Sequence, residues 1–152
     1  MDDIGYMRLA LKMARKALLY GEVPVGAVIV RDGRLIAQAH NLTRNLKDPT
    51  AHAEVLAIRR AAERLGDWRL TGCTLYCTVE PCSMCAGSIV ISRIERLVYG
   101  CPDPKMGAVA SLFTLCSDPR LNHQVSLTEG ILGKESADLM QAFFRKLRNV
   151  KP

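Results

Sequence analysis

Apolar residues recur at helical spacing from the N-terminus: Ile4, Met7, Leu11, Ala14 and Leu18 mark one face of a helix over residues 2–19, with Gly21 as its stop. The period then changes. Val25 to Val30 is a continuous apolar run, the pattern of a strand covered on both faces, and Asp32-Gly33 turns the chain into a partner strand over 34–39. A polar, irregular stretch over 41–47 leads into a second helical pattern through Val55, Leu56, Ile58 and Leu65 to Gly66. Asp48 is placed to cap that helix and Pro49 suits a first helical position. Residues 73–79 form a third strand-like run, followed at Pro81 by a helix carrying Met84, Ala86, Ile89, Val90 and Ile91. That helix is apolar on most sides, which predicts burial under a sheet or at a subunit contact. Leu97-Val98-Tyr99 reads as a short fourth strand, 101–123 as loop, 124–128 as a fifth strand and 132–147 as a final helix. Strands alternating with helices predict an α/β fold, a three-layer α/β/α arrangement around a central mixed sheet of about five strands. No repeat or linker interrupts residues 1–152, which read as a single domain.

Composition narrows the class. Apolar residues make up 49% and charged residues 24%, a globular balance, and no apolar run nears the roughly 18 residues of a membrane span. Met1-Asp2-Asp3 is acidic where a signal peptide would be basic, so the expectation is a cytoplasmic protein with no membrane partner. A net charge of +6 favours a polyanionic partner over a small neutral substrate. Among the six cysteines, Cys73 and Cys77 share a strand face and Cys101 and Cys116 have no paired spacing. These four read as buried thiols and not as a disulfide framework.

The chemistry concentrates between His52 and Cys85. Cys82 and Cys85 stand three residues apart at the start of one helix, and His52 stands at the start of another. Two thiolates and an imidazole are the three protein ligands of a catalytic zinc that keeps its fourth position for solvent. A closed structural zinc would need a fourth ligand from His40, His123 or a spare cysteine, and none stands at motif spacing. Glu54, two residues past the histidine, points away from the histidine's direction on an ideal helix. It reads as a proton-carrying acid and not as a ligand, the feature a structural site has no use for.

The pattern H-x-E…P-C-x-x-C is the signature of zinc-dependent nucleobase deaminases. With the segments Gly21–Ala27, Asp48–Glu54, Thr78–Gly87, Ser92–Ile94, Asn122-His123 and Phe143–Arg145, the chain resembles the bacterial tRNA-specific adenosine deaminase family. That family lies within the cytidine/deoxycytidylate deaminase superfamily. The resemblance implies a cytidine deaminase-like fold, one Zn2+ per chain on His52, Cys82 and Cys85, Glu54 as proton shuttle, and a homodimer. It implies conversion of adenosine to inosine at the wobble position of a tRNA anticodon stem-loop, an arginine tRNA being the expected one. It also implies substrate contacts at Asn41, Asn122, Asp103 and Phe144. Taken from the residues alone, each asparagine suits a turn, Asp103 suits a turn as well, and His123 suits a structural role. The apolar spacing of Leu139, Met140, Phe143, Phe144 and Leu147 suits packing, with Arg145, Lys146, Arg148 and Lys151 as a solvated face. Two other functions stay open from sequence: a zinc deaminase of a free base or nucleotide such as guanine or deoxycytidylate, and a non-catalytic RNA-binding subunit.

Overall fold

In the computed structural model, which describes residues 1–150, the N-terminal periodicity becomes helix α1 (Asp3–Leu18). Asp2 caps it by accepting the Gly5 N–H at 2.9 Å. Strands β1 (Gly26–Arg31) and β2 (Arg34–His40) form the hairpin that Asp32-Gly33 announces, both turn residues taking positive φ. Then come α2 (Ala53–Leu65), β3 (Thr74–Val79), α3 (Ser83–Ile91), β4 (Arg96–Cys101), β5 (Ser126–Thr128) and α4 (Gly133–Val150). Of the basic residues placed on the last helix, Lys151 lies outside the described residues.

The strands build one sheet in the order β2-β1-β3-β4-β5. β1 runs antiparallel to both β2 and β3, while β3, β4 and β5 are mutually parallel, so the sheet is mixed as expected. The continuous apolar run of β1 is explained by cover on both faces. Ala27 and Ile29 belong to the core under α2 and α3, whereas Val28 and Val30 pack with Tyr6, Met7 and Ala10 of α1. Cys73 and Cys77 fall in the first of these cores with Leu75 and Val79, and all six cysteines are free thiols.

Gly26 lets α1 lie directly on the sheet, since a Cβ there would run into the Ala10 carbonyl and the backbone of Ala14. Asp3 then ties the helix across two strands. It accepts both guanidinium N–H groups of Arg96 and the Tyr76 hydroxyl at 2.7 Å. At the other side of the sheet, Arg60 and Arg64 of α2 donate to the carbonyls of Gln38, Leu35 and Ile36, covering an otherwise open edge. α4 packs over β4 and β3, Ser136 against Gly100. Among the described residues, no helix is long and apolar enough to cross a membrane.

The two motif helices begin later than their sequences suggest. Asp48 caps a tight turn, accepting the Thr50 N–H and hydroxyl at 2.8 and 2.7 Å, and the helix waits until Ala53. Likewise Pro81 precedes α3, and Cys82 is the extended residue at its N-cap. Both ligand-bearing starts are therefore turns at helix mouths, with β3 delivering Cys82 at the carboxyl ends of the parallel strands. Crevices at that end are where open α/β sheets place their ligands.

Candidate metal centre

His52 occupies the N-cap of α2 in extended conformation, with no cap hydrogen bond from its side chain. Its imidazole is thereby free to face α3. Nδ1 lies 3.6 Å from the Cys82 sulfur and 3.5 Å from the Cys85 sulfur, and the three donor atoms fall within 4.8 Å of one another. A tetrahedral zinc with ordinary Zn–S and Zn–N lengths places its nitrogen and sulfur ligands about 3.6 Å apart. The donor set fits that ion in type and in spacing. Among the described residues this is the one group of His, Cys, Asp or Glu whose donor atoms converge in this way.

The electrostatics favour a cation. The hydrogen bond with Cys85 brings the Cys82 thiol down to about 4, with the His52 contact adding to it, while Cys85 as the donor is raised. His52 is raised by its bond to Cys82. The protein by itself thus favours a thiolate at Cys82, and a bound metal ion would drive the second thiol to thiolate as well. Cys82 and Ala53 both stand where helix N–H groups point outward, the positive end of each helix. Glu54, in the first turn of α2, is 4% exposed and stays outside the converging donor set, as its position in the motif suggests. Burial raises its carboxyl above the ordinary 4.5, which suits a group that must hold and release a proton near neutral pH.

Asn41 has a part that its sequence position does not reveal. It is buried, and its Oδ1 accepts the Ala53 N–H at 2.8 Å, capping α2 from outside in place of Asp48. With the oxygen committed, what the amide can offer a ligand is its two N–H donors. His40 beside it is also engaged, Nδ1 lying 2.9 Å from the Asn41 carbonyl.

Asp103 and Phe144 come together although 41 positions separate them in the chain. Both line a groove of about 920 Å³ between the 101–106 segment and α4, with Lys105, Met106, Arg145 and Arg148. Phe144 is 39% exposed and meets Phe143 edge-on at 5.2 Å, an accessible ring held by its neighbour. Asn122 is exposed and does not line this groove. His123 is engaged structurally, Nε2 lying 2.7 Å from the Ile94 carbonyl.

Two acids that sequence reasoning passed over organise the loops on either side. Glu22, fully buried, accepts from Thr43, Arg44 and Asn45 in the polar segment that leads to His52. Glu80 does the same for residues 103–111. The available signal was a carboxylate adjoining an apolar run, which burial obliges to find donors. For Glu22, burial alone would raise the carboxyl; the Asn45, Arg44 and Thr43 donors outweigh it and bring it below 4.5. A depressed folded-state pKa adds stability that is present above the unfolded value and lost as pH falls through the folded one. Glu22→Gln should therefore cost about 1–3 kcal/mol in urea melts near pH 7. The difference from the native chain should shrink below about pH 4.5, and a gap that widens in acid would contradict the assignment.

Comparison with known proteins adds an independent line. The sequence profile of MafB19-like deaminases matches residues 1–148. The tRNA-specific adenosine deaminase of Bacillus subtilis (strain 168) is 49% identical over 150 residues, covering 99% of this chain and 93% of that protein. That of Aquifex aeolicus (strain VF5) is 48% identical over 144 residues, 95% of each chain. A structure solved in a study of A-to-I editing by tRNA:A34 deaminases at the wobble position of transfer RNA superposes with a TM-score of 0.86. It is 50% identical and covers 89% of this chain and 98% of its own.

Proposed function

Because the chain belongs to the MafB19-like deaminases and to the family of its tRNA-specific adenosine deaminase relatives, we infer that it converts adenosine to inosine in transfer RNA by hydrolysis. The observation that carries the reading is the convergence of His52, Cys82 and Cys85 to ligand spacing beside the buried acid Glu54. The edited base is the wobble adenosine of an anticodon loop. A loop nucleotide is already unpaired on one strand, so bringing it to the metal costs less than extrusion from a duplex.

His52, Cys82 and Cys85 would hold one Zn2+, which when bound would supply an activated water nucleophile at neutral pH. Glu54 takes a proton as water adds to the carbon bearing the amino group. It gives that proton to the ring nitrogen, then takes the second proton from the added hydroxyl and passes it to the amine, so that the C–N bond breaks, ammonia departs and a carbonyl remains. Asn41, its oxygen held by Ala53, donates from its amide to an acceptor on the base or its sugar. Phe144 offers a ring face on which a splayed base stacks, with Asp103 on the facing wall, Arg145 and Arg148 meeting phosphates, and Asn122 reaching the RNA from its exposed turn.

The protein acts in the cytoplasm as a homodimer, its RNA partner an arginine tRNA. The dimer reading is supported by α3, whose Ile91 is 66% exposed on a helix apolar on most sides, and by Leu112 and Phe113, both more than half exposed. Light scattering at micromolar concentration should give twice the chain mass; a monomer with full activity would remove the claim.

The functional reading is tested by incubating the purified protein with anticodon stem-loops, free nucleosides and free bases, followed by nucleoside analysis. Inosine should form from one stem-loop and nothing from the free compounds. Turnover of guanine or deoxycytidylate with no action on RNA would favour the free-base alternative, and RNA binding without turnover the non-catalytic one.

A further inference from the structure

Glu80 is 3% exposed at the end of β3 and belongs neither to the converging donor set nor to the groove wall. Its carboxylate is nevertheless saturated. Oε1 accepts the Asp103 N–H at 3.0 Å and the Ser111 hydroxyl, and Oε2 accepts the N–H groups of Val109, Ala110 and Ser111 at 3.1, 2.9 and 2.9 Å. All five donors come from one loop. That loop is also fastened to the turn bearing the ligand: Gly107 bridges to Cys82, and Ala108 donates to the Pro81 carbonyl at 2.9 Å. Gly107 leaves no slack, because a Cβ there would collide with the Glu80 carboxyl and the Asp103 carbonyl. The outer part of the same loop, Asp103 to Met106, forms the groove wall opposite Phe144 and Arg145.

We propose that Glu80 is a positioning residue for the RNA substrate: it locks the Asp103–Ser111 loop onto the Cys82 turn and so sets the groove wall at a fixed distance from the metal ligands. The inference rests on reading the chain as a tRNA deaminase, in which the groove receives the nucleotides flanking the edited base. Neither Asp103 nor Met106 is near Glu80 in sequence; the carboxylate acts on RNA only through the loop it holds.

The test is Glu80→Gln, which keeps size and shape but turns an amino group toward backbone N–H groups and leaves at least one of them unpaired. On one preparation, metal content, single-turnover rate at saturating stem-loop, KM and the dissociation constant by fluorescence anisotropy are measured. KM and the dissociation constant should rise together by roughly 10–100-fold, the worth of losing buried hydrogen bonds to a charged acceptor. The saturated rate per bound metal should stay within about threefold. Asp103→Ala should raise KM in the native chain and add little in the Glu80→Gln background, since the two changes act through one loop. Gly107→Ala, which displaces the loop from its other side, should reproduce the KM rise and carries the test if Glu80→Gln does not fold. A native KM with activity falling only in step with metal content would make Glu80 a purely structural acid and overturn the proposal, as would full additivity with Asp103→Ala. A native chain that neither binds nor deaminates any stem-loop would instead refute the functional reading beneath it.

Discussion

Replacing Glu54 with glutamine is expected to cut turnover by roughly 10²–10⁴ while leaving the fold, metal content and RNA affinity near native. The expectation follows from where the side chain sits. Glu54 is 4% exposed in the first turn of α2 and outside the set of converging donor atoms, so its loss removes no ligand. Glutamine preserves volume and can still accept and donate hydrogen bonds, but it cannot carry a proton. Single-turnover rate, metal content and stem-loop affinity measured on one preparation decide the matter. A variant that deaminates at the native rate would rule out the proton-carrying role, and one that loses metal and unfolds would make Glu54 a structural acid. Binding should weaken with salt equally in the native and variant proteins, because salt screens phosphate contacts whether or not the acid is present.

Cys82→Ala is expected to abolish retention of zinc through dialysis and, with it, activity. Removal of a group that merely orients a metal ligand costs about 10–100-fold in affinity, and loss of one of three ligands exceeds that. Cys82 is also the residue most committed to holding a cation, its thiol brought down to about 4 by Cys85 and His52. Metal analysis after dialysis gives the result directly, and full occupancy at native affinity would sink the ligand assignment. Because Cys82 caps α3 without a side-chain hydrogen bond and its bridge to Gly107 is made by the backbone, the variant should melt close to a native chain stripped of metal by a chelator. Equal melting of the two would limit the role of Cys82 to the ion.

The residue types themselves exposed the chemistry. Two cysteines three apart after a proline, a histidine thirty positions earlier and an acid two residues beyond it have few uses in common, and the structure brings the three donor atoms to within 4.8 Å of one another, a spacing that fits zinc. The elements were equally legible. β1 read as a strand covered on both faces because Val28 and Val30 are as apolar as Ala27 and Ile29, and two cores claim them. Asp32-Gly33 declared its hairpin through the positive φ both residues adopt.

Helix starts were misjudged for a definite reason. Asp48-Pro49 carries every local mark of an N-terminus, yet Asp48 spends its carboxylate on Thr50, and α2 begins at Ala53 because Asn41, twelve positions upstream, supplies the cap. Local propensity cannot see an acceptor delivered by another strand. The same holds for Glu22 and Glu80, which look like surface acids in a charged chain and become buried hubs once loops 21 or more positions later close over them. The sequence by itself determined the periods of the helices and strands, the faces they bury and the identity of the converging donor atoms, since all of these depend on side-chain type and near neighbours. Only the tertiary structure decided which donor meets which carboxylate, that Asp103 and Phe144 share a groove while Asn122 stands apart, and how the ligand turn is joined to the groove wall. Those pairings depend on strand order and on loops crossing between elements, and hydrophobic periodicity carries no record of either.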